Sequence, residues 1–497
     1  MKNGAELPIE LVEFLNRPTP QSLVLRGAPG TGKTLLALAL LDAFPGRGIY
    51  VTTRVSRSSL DLDLPDLGRM VRDGRITVID ISAEGSDLRA AVRALGSSKE
   101  LLAPGESSRS LRSLLLPPEV LRAWSEISST APTMVVLDSW DAIVERHVDI
   151  PGASSESLPT RAEVERIAVA QMTDGPVFLV MVIENREAGQ LEYLVNGIVT
   201  TEREVHEDRL ERWLRIDKLR GTRVARSSYP FSLEGGRFQC IVPMGNRAPD
   251  LPLRIDPRPP SLAGQLWPGS SDYASFFGAI PVGKLTLVEL DAWLSNLPVQ
   301  FLLAPLLSDV VARGGRVLHV PPPAMQPPQV WDLYGGTVSR ETFLRQVRLI
   351  CVPPTSGSEE FAPIILPLPS GETMADSLRV PEAERFLRDN RDPEKPNLVL
   401  LSMMGMTAIN TLVPGSFTAA TVPGMILHFL QVSPAHGIFV GYTDDPLTRV
   451  IRPMVSTHIR LVDREGRIFV HGVNPRTPSL VLSPGDEQSP YHLRLVV

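Results

Sequence analysis

The sequence predicts an α/β protein in which one doubly wound parallel-sheet domain occurs twice in tandem, the second copy without its chemistry. Three observations carry this expectation. A glycine-rich loop at 27–34 stands between a short apolar strand, Ser22 to Leu25, and an apolar helix with no proline or glycine before Pro45. The runs "GIYVTT" (48–53), "ITVIDI" (76–81), "MVVLD" (134–138) and "PVFLVMVIE" (176–184) alternate with helical stretches, the pattern of a sheet covered on both faces. Finally, "MVVLDSWDAI" (134–143) returns 264 residues later as "LVLLSMMGMTAI", with Ser402 where Asp138 stood.

The loop carries the strongest chemistry. Gly27-Ala28-Pro29-Gly30-Thr31-Gly32-Lys33-Thr34 fits G-x-x-x-x-G-K-[ST] in its strand-to-helix context. Glycines let successive backbone N–H groups turn inward around phosphate oxygens, and the following helix adds its positive end. Lys33 is expected to reach the β and γ phosphates and Thr34 to ligate Mg²⁺. The site also needs an acid at the end of a neighbouring buried strand, and Asp138, after Met134 to Leu137, is the candidate. ATP and Mg²⁺ are therefore the expected cofactors.

Composition narrows the class. A chain of 497 residues exceeds one ordinary core, and two domains are expected. Its 43% apolar and 21% charged residues fit a soluble protein, and no apolar stretch approaches the roughly 20 residues of a membrane span. No secretory signal pattern is visible near residue 1, so the expected location is the cytoplasm. Cys240 and Cys351 are too few for a disulfide framework or a four-thiolate zinc site. His319, His428, His436, His458, His471 and His492 lack paired metal spacing and read as structural or surface residues. A net charge of −6 argues against a generally basic nucleic-acid binder.

After this core, "RWLRIDKLRGTRVARSSYPFSLEGGRF" (212–238) reads as an extended segment and a closing hairpin. Strand alternation puts Leu214, Ile216, Lys218 and Arg220 on one side, with the two cations at an exposed tip where they could grip a phosphate.

"GAPGTGKT", "VVLDSWDAI" and "KLRGTRV", with the later "YPFSLEGGRF", in this order and spacing, resemble the KaiC-like branch of the RecA-type ATPases. Within that branch, "ELPIELVEFL" (6–15), "YVTTRVS" (50–56) and "DSWDA" (138–142) are similar to the archaeal GvpD family of gas-vesicle regulatory proteins. The resemblance covers roughly residues 5 to 241. It implies a RecA-type fold, ATP in the loop, and a homo-oligomeric ring or filament in which a Lys-x-Arg pair, here Lys218 and Arg220, reaches the neighbouring subunit's γ phosphate. KaiC-like enzymes also place two glutamates just after the second strand, one of which activates water. Here that place reads Thr52-Thr53-Arg54. A threonine is a poor base near neutral pH, and general-base catalysis is worth roughly 10²- to 10⁴-fold, so hydrolysis is expected to be slow. Glu184 is the nearest alternative acid by topology, and Arg54 could supply a fixed cation near the phosphates.

The domain plan is 1–244 for the ATP-binding domain, 245–271 for a Pro/Gly/Ser-rich linker and 272–497 for a degenerate copy. Aligning "LTLVEL" (285–290) with "SLVLRG" lays "LDAWLSNL" over the loop, with Asn296 against Lys33 and Leu297 against Thr34. "RVLHV" (316–320) parallels "GIYV", and 82 residues separate Val320 from Ser402 against 87 between Val51 and Asp138.

Three function classes follow. The favoured one is an ATP-binding regulatory switch read by a protein partner such as a transcription regulator. A RecA-type repair ATPase needs basic or Gly-rich DNA loops, yet residues 145–175 set Arg146, Arg161 and Arg166 against six acids, so nucleic acid is the disfavoured partner. The third class is an adaptor that binds ATP for stability alone.

Overall fold

In the computed structural model, the structure describes residues 7–53, 65–81, 132–148, 161–162, 165–166, 169, 177–184, 190–241, 255–259, 262, 265–291, 294–295, 297–334, 337–351, 359–366, 381–392, 394–415, 417–485 and 489–497. The chain divides into two compact units, Met1–Val242 with Val496–Val497, and Pro243–Leu495.

In the first unit, helix α1 (Ile9–Leu15) precedes β1 (Gln21–Arg26), and the phosphate loop leads into α2 (Lys33–Ala43). Then come β2 (Arg47–Thr52), α3 (Pro65–Arg72), β3 (Ile76–Asp80), β4 (Thr133–Asp138), α4 (Trp140–Val148), β5 (Val177–Ile183) and α5 (Leu191–Leu194). The unit closes with β6 (Gly197–His206), β7 (Arg209–Leu219), β8 (Ser228–Ser232) and β9 (Gln239–Cys240). These strands form one sheet in the order β3-β2-β4-β5-β1-β6-β7-β8-β9, parallel through β6 and antiparallel beyond it.

The residues explain the layers. Strands β4 and β5 are almost wholly apolar because both of their faces are covered. On one face Leu36, Leu40, Tyr50, Val136 and Val182 pack around α2. On the other, Val24, Val51, Leu137 and Met181 pack against Trp140 of α4. Each fully buried aliphatic side chain contributes roughly 1.5–3 kcal/mol, and alternation along the strands supplies both faces at once.

The second unit repeats this plan. Its sheet contains β12 (Leu285–Leu290), β13 (Val317–Val320), β14 (Val347–Leu349), β15 (Asn397–Ser402) and β16 (Ala435–Tyr442). It continues with β17 (Thr457–Arg464), β18 (Arg467–Asn474), β19 (Leu480–Pro484) and β20 (Tyr491–Leu495). The order β14-β13-β15-β16-β12-β17-β18-β19-β20 reproduces that of the first sheet strand for strand. The main helices are α6 (Ser271–Phe277), α7 (Leu297–Ala312), α8 (Pro327–Asp332), α9 (Arg340–Gln346), α10 (Pro381–Arg388), α11 (Met403–Leu412), α12 (Val422–Val432) and α13 (Pro446–Ile451). The chain thus carries two tandem RecA-like α/β domains, and α7 stands where α2 stands in the first.

The described part of the segment read as a linker is ordered onto this second unit. A short pair of strands, β10 (Gln265–Leu266) and β11 (Ile280–Pro281), brackets α6, and Leu266 and Trp267 are buried. Trp267 Nε1 donates to the Asp256 carbonyl at 2.9 Å, and Asp256 Oδ2 accepts from the Ser271 amide at 2.6 Å. An apolar Trp inside a Pro-rich run needs a core, and this one supplies part of it.

Candidate nucleotide site

The loop backbone is held open by glycines that its packing requires. Gly32 precedes α2 at φ 97°, in the left-handed region. A Cβ on Gly27 would stand 2.4 Å from the Thr201 carbonyl oxygen and 2.7 Å from Thr31 Oγ1. Thr31 in turn donates to the Ala28 carbonyl at 2.8 Å and lies 2.8 Å from Thr201 Oγ1, so β6 braces the loop from behind. Arg212 of β7 caps it on the outside, with Nη1 donating to the Gly30 carbonyl at 2.7 Å. Burial and the facing Arg203 lower the Arg212 pKa.

Lys33 is buried and turns its ammonium into the loop, donating to the Gly27 and Ala28 carbonyls at 2.7 and 2.9 Å. Thr34 Oγ1 donates to Asp138 Oδ2 at 2.8 Å. The same carboxylate oxygen accepts from Tyr50 OH at 2.7 Å. Strand register explains the meeting: Thr52 lies beside Asp138, and Tyr50, two residues earlier, shares its face. Burial first, and then the neighbouring Asp138 charge, push the Tyr50 phenol well above its ordinary value, so it stays a donor.

Thr53 holds the far side of the same strand end. Its amide donates to the Asp138 carbonyl at 2.9 Å, and its Oγ1 accepts from the Ser139 amide at 2.9 Å. Thr52 and Thr53 are both buried, while Arg54 lies outside the described residues. Glu184 follows β5, where its amide donates to Asp141 Oδ2 at 2.7 Å. Asp141 also accepts from Arg161 at 2.5 Å, and Arg161 donates to Glu165 at 2.8 Å. Burial pushes the Glu165 carboxyl up despite that partner. Of the three arginines in 145–175, Arg161 is therefore committed to an ion pair and Arg166 is exposed, while the side chain of Arg146 lies outside the described residues.

Lys218 and Arg220 are not on the face that simple alternation assigned them. A bulge sets Asp217 outside the β6–β7 ladder: Val199 faces Ile216, but Ile198 faces Lys218. Leu214, Ile216 and Leu219 consequently pack on the α2 side, whereas Lys218 is turned to the other face, where its Nζ donates to the Glu192 carbonyl at 2.5 Å. One inserted residue reverses a period-two pattern, which is why the sequence could not show it. Arg220 Nη2 donates to the Tyr193 carbonyl at 3.1 Å. Burial, then Arg220, lowers the Lys218 pKa, with Glu192 opposing. Leu219 is opposite Gly197, which pairs with Leu23, whereas the loop leaves β1 after Arg26. The pair is thus displaced down the sheet from its own subunit's loop, on helix α5. Asp217 joins Thr200 in holding Arg26, whose Nη1 also donates to Glu192 at 2.6 Å.

The structure therefore brings Gly27 to Thr34, Asp138 and Tyr50 together, and leaves Lys218 and Arg220 apart from them. Sequence reading missed Tyr50, Thr201 and Arg212. Tyr50 had a signal: a phenol in a run otherwise buried and apolar must find a hydrogen-bond partner. The donor set fits magnesium and nucleotide phosphate. It offers oxygen ligands in Thr34 and Asp138, one buried ammonium in Lys33, and backbone amides at a helix start.

In the second unit, register places Glu289 at Arg26, His319 at Tyr50 and Ser402 at Asp138. Helix α7 begins at Leu297, and Asn296 lies outside the described residues. The ammonium-bearing loop, the phenol and the acid have no counterparts among the described residues there. Even the strand-end charge is reversed: Arg26 is held by acids, whereas buried Glu289 accepts from Arg452 at 2.7 and 2.8 Å and lies 2.9 Å from His458.

The comparisons agree with this geometry. The family model described as "ATPase: KaiC" matches residues 17–241. Protein GvpD2 of Halobacterium salinarum is 28% identical over 347 residues, covering 68% of this chain and 66% of the relative. Protein GvpD1 of the same organism is 30% identical over 249 residues, covering 48% of this chain and 41% of the relative. The chain therefore spans less than two thirds of either relative's length. With its RecA-type strand order and its phosphate loop, the first unit is similar to the KaiC-like ATPases across residues 17–241.

Proposed function

We propose that the first unit binds ATP with Mg²⁺ and acts as a nucleotide-dependent regulatory switch of slow turnover, read by a protein partner such as a transcription regulator. The observation that carries this reading is the contrast between the two halves of the site. The binding half is complete, with Lys33 inside the loop and Thr34 on Asp138. The position at which the wider family supplies a base holds Thr52 and Thr53, and the Thr53 hydroxyl is committed to the Asp138–Ser139 backbone. A bound Mg²⁺–nucleotide would supply the charge that orders this end of the sheet. Thr34 and Asp138 are the residues to hold the metal and Lys33 the one to neutralise phosphate. Losing a general base costs roughly 10²- to 10⁴-fold in rate, while a switch needs only different partner affinities in its two states.

Similarity to the GvpD proteins supports a regulatory role. Lys218 and Arg220, held on helix α5 and displaced from their own loop, suit a role at a neighbouring subunit's phosphates in a homo-oligomer. Arg161, tied to Asp141 and Glu165, disfavours a DNA channel. The test is ATP binding and turnover with Mg²⁺, measured alongside oligomer mass with and without single-stranded and duplex DNA. Slow, DNA-insensitive turnover with an ATP-dependent change of assembly is expected. A many-fold acceleration by DNA would replace this reading with a repair ATPase.

A further inference from the structure

Arg26 is the last residue of β1 and stands immediately before Gly27, where the phosphate loop begins. The strand is buried and apolar from Leu23 to Leu25, yet it ends in a guanidinium only 18% exposed. Three nitrogens of that side chain reach three different elements. Nε donates to Thr200 Oγ1 of β6 at 2.7 Å, Nη2 to Asp217 Oδ2 of β7 at 3.0 Å, and Nη1 to Glu192 Oε1 of α5 at 2.6 Å. Thr200 also donates to Asp217, which closes the group.

The same elements hold the two cations displaced from the loop. Lys218 follows Asp217 in the chain and donates to the Glu192 carbonyl, and Arg220 donates to the Tyr193 carbonyl. The bulge that sets Asp217 outside the ladder therefore frees Asp217 for Arg26 and turns Lys218 onto α5. Bulges re-aim side chains in this way beside functional sites. A guanidinium fork fixes direction as well as distance, so these contacts hold β7 and α5 in one orientation relative to the loop. On the loop side there is little slack, because Gly27 packs against Thr201 too closely to admit a Cβ. A shift of the loop is passed to Arg26, since close-packed groups transmit displacement. In the second unit the corresponding Glu289 pairs instead with Arg452 and His458, and among the described residues there the ammonium-bearing loop is missing as well.

We propose that Arg26 is a positioning residue that couples the phosphate loop of one copy to the Lys218 and Arg220 which that copy presents to its neighbour, so that nucleotide in one site sets the activity of the next. This inference rests on the reading of Lys218 and Arg220 as acting across a subunit boundary. The coupling runs through a contiguous set of hydrogen bonds, from Arg26 through Asp217 and Glu192 to the two cations.

The test is the rate of ATP turnover against ATP concentration in the assembled full chain, with ATP affinity measured separately by calorimetry. The unaltered chain is expected to give a Hill slope of about 1.5 or more. Arg26→Ala is expected to bring the slope to about 1 while leaving ATP affinity within about twofold, a separation that a merely structural role would not produce. Glu192→Ala removes the carboxylate that Arg26 grips but keeps the main-chain carbonyl that holds Lys218, and it is expected to flatten the slope likewise. Being half-exposed, Glu192 decides the matter even if Arg26→Ala does not fold. A slope of 1 in the unaltered chain, a slope that survives both substitutions, or a loss of ATP affinity equal to the loss of turnover would each overturn the proposal. Lys218→Ala separates the two readings. If it leaves turnover unchanged, action across the boundary fails and the coupling with it; if it lowers turnover while Arg26→Ala and Glu192→Ala keep the slope, the coupling alone fails.

Discussion

Thr34 Oγ1 and Asp138 Oδ2 lie 2.8 Å apart although 104 residues separate them in the chain. The contact joins the first turn of the phosphate-loop helix to the end of a buried strand, and Tyr50 closes it from the next strand. Each group comes from a different element of the parallel sheet, at the strand ends where open α/β sheets place their ligands. The candidate site is a product of strand order as much as of its motif.

Replacing Lys33 with Ala removes the buried ammonium of the loop. ATP affinity is expected to fall by at least about a hundredfold in calorimetry with Mg²⁺, since hydrogen bonds to charged groups are worth roughly 1.5–3 kcal/mol each. Asp138→Asn is expected to remove most of the magnesium dependence of binding. Unchanged affinity in Lys33→Ala would remove the nucleotide assignment.

The two residues that brace Asp138 have separable roles. Tyr50→Phe deletes one hydrogen bond to a carboxylate and is expected to destabilise the first unit by about 1–3 kcal/mol in urea unfolding. Because the phenol stays protonated, that loss should be the same from pH 6 to pH 9. Thr53→Val leaves the Ser139 amide without its acceptor and is expected to destabilise by about 1–2 kcal/mol without slowing turnover. A tenfold drop in turnover at unchanged stability would instead make Thr53 a catalytic residue.

Lys218→Ala and Arg220→Ala are expected to lower ATP turnover about tenfold or more in the assembled protein while leaving ATP affinity near the unaltered value. The discriminating measurement is a mixing series of Lys218→Ala with Lys33→Ala chains. Partial recovery of activity in mixed assemblies supports action across a subunit boundary, and equal loss in a dilute monomer rules it out.

Glu289 is expected to make the second unit's stability depend on acid pH. Its burial opposes ionisation, but hydrogen bonds from His458 and Arg452 outweigh it and hold the carboxyl at about 2. An unfolded glutamate titrates near ~4.3, so this group's contribution is fully present above that pH and is lost as pH falls toward 2. Glu289→Gln is expected to destabilise the second unit by about 3 kcal/mol at pH 7, with the difference from the unaltered chain closing below pH ~4.3. A difference that persists at pH 2 would show that packing, not charge, is what the substitution disturbs.

The buried strands and the phosphate loop were legible in the sequence because their signals are local. Glycines at fixed offsets, a lysine and threonine opening an apolar helix, and continuous aliphatic runs each require only their neighbours to be read. The duplication was legible for the same reason, since Ser402 stands in a run shaped like that of Asp138 even where the chemistry has gone. Contacts that cross between strands were not. Tyr50 reaches Asp138 only because β2 lies beside β4, and Thr201 braces the loop only because β6 lies beside β1. The single bulge at Asp217 turned Lys218 to the opposite face, and no periodicity in the residues announces a bulge. The sequence by itself determined which groups could bind phosphate. The tertiary structure decided which of them meet, because hydrogen bonds act over about 3 Å while strand register and order are set by packing across the whole sheet.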